Sequence, residues 1–152
     1  MSKLVFRRVR AEDLAAIVQL LLDDVLGQAR EVSSENVCEG YTAAFAAIDA
    51  DPHQLLLVAN EGNEVIGTLQ LSFIPGLARK GAWRGQIEAV RVSSSRRGRG
   101  IGKEMIEWAI SECRRRGCRH VQLTTDRRRT DAHRFYDRLG FVASHIGYKL
   151  TI

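Results

Sequence analysis

The chain has 152 residues, 45% of them hydrophobic and 27% charged, which is the size and balance of one globular domain and predicts a single domain over residues 1–152. The net charge of +5 is unevenly spread: residues 1–78 hold 5 basic and 11 acidic side chains, residues 79–152 hold 18 and 7, so the second half is suited to an anion and the first to a cation. No apolar run approaches the roughly 18 residues of a membrane span, and Met1-Ser2-Lys3 leads directly into a strand-like segment rather than a signal peptide, so a cytoplasmic chain without a membrane partner is expected.

Three cysteines, Cys38, Cys113 and Cys118, show no Cys-x-x-Cys spacing, and the four histidines are dispersed. Free thiols and no metal are expected. Leu4 to Val9 alternates as a strand does, and Leu14, Ile17, Val18, Leu21 and Leu22 recur at helical spacing up to Asp23-Asp24. A second helix is expected from Ser33 or Ser34, N-cap residues ahead of Glu35, with Val37, Tyr41, Phe45 and Ile48 on one face and Asp51-Pro52 as its stop. Gln54 to Ala59 and Val65 to Phe73 are β-rich runs joined across Glu61-Gly62-Asn63, which predicts a hairpin closed by Pro75-Gly76.

Gln86 to Val92 predicts a further strand. The polar, basic loop Ser93 to Gly102 follows, then Met105, Ile106, Trp108, Ala109 and Ile110 in a helix ending before Gly117. His120 to Thr124 reads as a strand, Thr130 is placed to cap a helix through Leu139, Gly140 suits the position past its end, and Phe141 to Ile152 reads as extended. The order is a strand and two helices, a hairpin, then β-α-β, an α/β (α+β) chain without repeats or linkers.

The chemistry concentrates in Arg97-Gly98-Arg99-Gly100-Ile101-Gly102, between a strand and a helix. Glycines let the backbone turn sharply and approach a ligand, and the free N–H groups at a helix start favour phosphate oxygens. Arg96, Arg97, Arg99 and Lys103 add positive charge. A P-loop would need glycine at position 97 and Ser or Thr at 104, where Arg97 and Glu104 stand, and Gly98, Gly100 and Gly102 miss the dinucleotide-binding spacing.

Arg97, Gly100 and Gly102 match the signature of the GNAT superfamily of acetyl-coenzyme A-dependent N-acetyltransferases: Arg or Gln, two residues, Gly, one residue, then Gly or Ala. Ala132-His133-Arg134-Phe135-Tyr136-Asp137-Arg138-Leu139-Gly140-Phe141 resembles the family's A-x-x-F-Y-x-x-x-G-F segment, although Arg129 stands where many members have Asn. The resemblance covers essentially the whole chain. It implies the GNAT fold, a central mixed, largely antiparallel, splayed β-sheet flanked by about four helices. It also implies acetyl-CoA as co-substrate, its pantetheine arm pairing with Val90, Arg91 and Val92 and its pyrophosphate on the amides of Gly98, Arg99, Gly100, Ile101, Gly102 and Lys103. The signature strand often carries a bulge in such proteins.

The activity implied is direct transfer of acetyl to a primary amine in a ternary complex. An alkylammonium with a pKa of about 10.4 needs a base, for which Glu88 is the candidate; the leaving thiolate needs a proton, for which Tyr136 is the candidate. The cysteines and His133 stay outside the catalytic set, and Arg114 to Arg116 and Arg127 to Arg129 read as solvated runs. For the acceptor, Asp23, Asp24, Glu31 and Glu35 would draw a cationic amine toward walls such as Phe73 and Trp83, whereas Arg84 and Arg91 would suit an amine that carries a carboxylate. The resemblance implies no fixed assembly beyond the family's frequent dimers, so a homodimer is one assembly open to the chain. The rival functions are an inactive acyl-CoA sensor and a basic nucleic-acid binder, the latter lacking the interleaved aromatics that stack bases.

Overall fold

The computed structural model describes residues 3–23 and 39–152, which fall into two compact units, Met1–Gln122 and Leu123–Ile152. The expected start of the second helix at Ser33 or Ser34, with Asp24, Glu31, Glu35, Val37 and Cys38, lies outside the described residues.

The first unit runs β1 (Leu4–Arg8), α1 (Leu14–Leu22), α2 (Glu39–Ala50), β2 (Gln54–Glu61), β3 (Glu64–Ile74), β4 (Arg84–Val92), α3 (Ile101–Arg115) and β5 (His120–Leu123). The strands form one five-stranded sheet in the order β1-β2-β3-β4-β5. β1 to β4 pair antiparallel with their sequence neighbours. β5 is reached through α3, and two contacts joining it to β4 advance in the same direction on both chains: Arg119 N–H to the Trp83 carbonyl (2.8 Å) and Gln122 to Gln86 (2.6 Å). That is the sense of a parallel crossover, so the sheet is mixed. Both contacts fall at the beginning of β4.

The hairpin turn is tighter than the sequence implied. β2 and β3 continue to Glu61 and Glu64, leaving Gly62-Asn63 as a two-residue turn, with Gly62 at φ 61°, the geometry such turns demand. Six consecutive residues of β2 are buried, so helices must cover both faces of the sheet there. On α2, Tyr41, Phe45 and Ile48 are the half-buried positions and the rest is exposed, as the periodicity predicts. Phe45 and Ile48 pack with Leu21 and Val65 against Val9, Ile17, Leu56 and Val58.

α3 packs on β3 and β4 through Ile101, Met105, Ile106, Ala109 and Cys113. Gly85 of β4 permits this approach, because a Cβ there would stand 2.2 Å from the Cys113 Sγ. At the end of α3, Arg116 departs from the solvated run expected of it. Its guanidinium lies 3.9 Å from the Phe73 ring centroid, donates to the Pro52 carbonyl (2.8 Å) and pairs with Glu112 (2.9 Å). Phe73 is therefore buried under an arginine rather than offering a wall to an acceptor.

The second unit holds α4 (Thr130–Arg138). Thr130 is its first residue, the capping position falling to Arg129; Gly140, at φ 88°, ends it as expected. The extended segment foreseen from Phe141 onward forms no strand. Its backbone bonds among the described residues are Phe141 N–H to the Tyr136 carbonyl and Ser144 N–H to the Val142 carbonyl. No helix among the described residues is long and apolar enough to cross a membrane.

Candidate active site

β4 delivers the candidate base and the strand expected to meet the donor. Glu88 lies opposite Gln70 and Arg91 opposite Thr68, so Ala89 and Val90 together face Leu69. This is a β-bulge, with Ala89 at φ 51°. An alanine there costs about 1–2 kcal/mol in backbone strain, and the extra residue breaks the alternation of faces. Ile87 is buried, Glu88 and Ala89 are both exposed, and Val90, Arg91 and Val92 are half-buried.

Beyond β4 the chain forms a short 3₁₀ turn, Ser94–Arg96, and then the glycine loop. Gly98 and Gly100 adopt φ 78° and 81°, and a Cβ at either would meet nothing within 4 Å. Conformation, not crowding, requires glycine here, and the space over the loop is open. Gly100 is the N-cap of α3 without a side-chain cap, and the first bond down the helix is Glu104 N–H to the Gly100 carbonyl (3.1 Å). The amides of Ile101, Gly102 and Lys103 thus have no partner within the helix and point with its positive end. The geometry fits a pyrophosphate.

The arginines of this loop do a different job from the one their number suggests. Arg97 donates to the Asp23 carbonyl at the end of α1 (2.9 Å) and to the Val92 carbonyl (3.3 Å). The Asp23 carboxylate accepts the Ser94 N–H (2.8 Å), so Asp23 braces the loop. Arg99 and Arg96 both bind Glu61 at the hairpin turn (2.8 and 2.9 Å), and Arg96 also reaches Glu64 (3.1 Å). Arg99 first, then Arg96, holds the Glu61 carboxyl below its ordinary range. Lys103 pairs with Glu107 at 3.7 Å. These pairs hold the loop's backbone in place, with Arg96, Arg97, Arg99 and Lys103 each engaged by a protein partner.

Tyr136 belongs to the second unit. It sits on α4 with its ring edge-on to Phe135 (5.1 Å) and Phe141 (5.9 Å). His133 contacts the Asp126 carbonyl through Nε2 (3.0 Å). Arg128 pairs with Asp126 (2.8 Å) and drives that carboxyl well below the usual range. Among the described residues no cluster of three or more His, Cys, Asp or Glu is arranged to hold a metal.

A second feature lies where the β3–β4 connection meets the starts of β4 and β5. Arg79, Lys80 and Gly81 take φ of 56°, 62° and 75° in succession, closed by Gly76 N–H to the Ala82 carbonyl (3.1 Å). Two consecutive non-glycine residues in this conformation are costly, and such strain gathers at ligand sites. Beside them is a cleft of about 300 Å³ lined by Gly76, Ala78, Arg79, Ala82, Arg84, His120 and Gln122, with no acidic side chain in its wall.

The profile of the Acetyltransferase (GNAT) family matches residues 16–141. The chain belongs to the GNAT acetyltransferase family. It is an acetyl-CoA-dependent N-acetyltransferase. Over 110 residues, 72% of this chain and 71% of the relative, it is 34% identical to an aminoalkylphosphonate N-acetyltransferase of Salmonella typhimurium. A crystal structure of a Bacillus halodurans C-125 protein described as a transcriptional regulator is 44% identical, with a TM-score of 0.96 over 99% of this chain and 100% of that one. A structure from Agrobacterium tumefaciens C58, described provisionally as an acetyltransferase, is 30% identical with a TM-score of 0.85, covering 97% and 99% of the two chains.

For a GNAT enzyme the signature loop and its bulged strand were readable in advance; their bracing was not. Glu61 precedes Arg96 by 35 residues and carries no local sign of its partner. Arg84 had been singled out, but its companions Arg79 and His120 become neighbours only through the fold. Of the other candidate residues, Val92 accepts a hydrogen bond from Arg97 of the loop, and Glu88 and Tyr136 fall in different units.

Proposed function

We propose that the protein acetylates the primary amine of a small acceptor that also carries an acidic group, a phosphonate, phosphate or carboxylate. The observation that carries this is the cleft walled by Arg79, Arg84 and His120 without a counter-charge. Guanidinium groups are the side chains best matched to such oxyanions. The phosphonate in the name of the Salmonella relative supports it. The competing cationic acceptor loses part of its basis, since the Asp23 carboxylate is engaged by Ser94.

In this reading the amides of Gly98 to Lys103 hold the pyrophosphate and Val90, Arg91 and Val92 run beside the pantetheine. The acceptor nitrogen loses a proton to Glu88, directly or through water, and attacks the thioester carbonyl carbon. The C–S bond breaks as the N–C bond forms, and the thiolate takes a proton from Tyr136, which solvent restores. A strand carboxylate exposed beside a bulge is free to meet a substrate. All 152 residues act as one domain, in the cytoplasm, as a homodimer, without nucleic acid, membrane or metal as partners.

Thiol release from acetyl-CoA across a panel of amines tests the acceptor class. Aminoalkylphosphonates and amino acids are expected to exceed neutral amines and polyamines of similar size. Arg84→Gln should raise KM at least tenfold for the acidic acceptors and leave neutral ones unchanged; preference for polyamines overturns the proposal. Tyr136→Phe should lower kcat by tenfold or more with little change in acetyl-CoA affinity, and full kcat in that variant removes its role as acid. The description of the Bacillus halodurans relative is the one support for a nucleic-acid reading. DNA that binds at moderate salt and is displaced by coenzyme A would establish it.

A further inference from the structure

Neutral polar side chains form one row across four strands of the sheet. Gln54 of β2 lies opposite Ser72 of β3, and Ser72 opposite Gln86 of β4; Gln122 of β5 then donates to the Gln86 side chain (2.6 Å). The row is bonded within itself, because the Gln54 side-chain oxygen accepts from both Ser72 Oγ (2.9 Å) and Gln70 Nε2 (3.1 Å). Its face is the one turned away from α3. Gly85 lies beneath Cys113 of that helix, and the register of β4 with β3 is unbroken from Arg84 to Glu88, so Arg84, Gln86 and Glu88 share the opposite face. The candidate base thus stands at one end of a line and Arg84 of the basic cleft at the other. Gln86 lies between them, and its partner Gln122 is in the wall of the same cleft.

We infer that Gln86 and Gln122 hold hydroxyl groups of the acceptor, which makes it an amino sugar phosphate. Length is the first argument. The strand from Arg84 to Glu88 advances about 13 Å, and strand side chains stand roughly perpendicular to the sheet, so the acceptor needs a spacer of several atoms between its amine and its acidic group. The row decides what that spacer is. It holds amides and a hydroxyl and no charge, so a further cationic or anionic group finds no counter-charge there. A hydrocarbon spacer would cover the amide N–H and C=O groups without replacing the water they bind, which is costly. A hydroxyl both donates and accepts, as a primary amide does, and satisfies either end of it. Sites built in this way reject analogues that lack the hydroxyl.

This inference rests on the acidic acceptor put forward above and adds what joins its amine to its acid. Thiol release from acetyl-CoA is followed with three acceptors: glucosamine 6-phosphate; 6-aminohexyl phosphate, which keeps amine and phosphate and lacks the hydroxyls; and glucosamine, which lacks the phosphate. These amines differ in basicity, so the readout is the change in the ratio of their kcat/KM values on substitution. Gln86→Leu should lower the ratio of glucosamine 6-phosphate to 6-aminohexyl phosphate about tenfold or more. Arg84→Gln should lower the ratio of glucosamine 6-phosphate to glucosamine by as much. Gln122→Leu, at an exposed position of β5, repeats the first comparison should Gln86→Leu fail to fold. A first ratio indifferent to the glutamines overturns the hydroxylated spacer, and the Arg84 result then keeps the acidic acceptor. A second ratio indifferent to Arg84→Gln overturns both, and a wild type that leaves glucosamine 6-phosphate unacetylated overturns the sugar phosphate.

Discussion

Arg97 shows how a motif residue can also hold its own loop in place. Its guanidinium ties the Asp23 and Val92 carbonyls together, so the glycine loop is fixed at the seam between α1 and β4. Two carbonyls in different directions need a planar fork, which lysine lacks. Arg97→Ala and Arg97→Lys are therefore both expected to raise the KM for acetyl-CoA about tenfold while kcat changes less than twofold; a silent lysine variant would show that charge alone matters. Ala89 is the other residue whose backbone carries the argument. At φ 51° a β-branched side chain is worse than alanine, so Ala89→Val should cost about 1–2 kcal/mol in urea unfolding, whereas Ala89→Gly should cost nothing or stabilise.

At the scale of elements, the contact between α3 and β4 depends on one missing side chain. Gly85→Ala places a Cβ 2.2 Å from the Cys113 Sγ, and overpacking of this kind costs about 1–3 kcal/mol. Cys113→Ala in the same chain removes the sulfur and should restore most of the loss, a coupling that a double-mutant cycle in urea measures directly. Helix and strand positions were legible because each follows a local period: Tyr41, Phe45 and Ile48 mark the buried stripe of α2, and the glycines before Ile101 mark the start of α3. What holds elements to one another was not. Arg116 reaches Phe73 and Pro52 from a helix end that reads as solvated, and Glu61 reaches two arginines from a turn that reads only as a turn. Such pairs are set by the sheet order, and no sequence spacing encodes them.

For the molecule as a whole, ion pairs between carboxylates and arginines set the response to acid. Glu112 is held at about 2, first by Arg115 and then by Arg116, against an ordinary value of 4.5. Asp13, bound by both terminal nitrogens of Arg7 (2.7 and 2.8 Å), is likewise held below its usual value. A carboxyl whose pKa falls on folding stabilises the protein above its unfolded pKa, and that contribution is lost as pH drops through the folded value. Stability should thus decline from about pH 4.5 toward pH 2. The Glu112 share is about 1–2 kcal/mol, reduced by solvent because Arg115 is 69% exposed. Urea unfolding at pH 5 and pH 3 checks this: Glu112→Gln should lose less between the two than the wild type, and equal losses would remove Glu112 from the account. The glycine loop was legible as a motif because it is a run of consecutive residues; the cleft beside the start of β4 was not, because Arg79, Arg84 and His120 come from three separate stretches.

The thiol buried beneath β4 also offers a clock. Burial pushes the Cys113 pKa up to about 12, so at pH 8 only about one molecule in ten thousand holds the reactive thiolate. Labelling at Cys113 must wait until α3 lifts from Gly85. The rate at which an aromatic disulfide reagent consumes this last thiol therefore reports how often the helix leaves the sheet, on the same assay bench that follows release of coenzyme A.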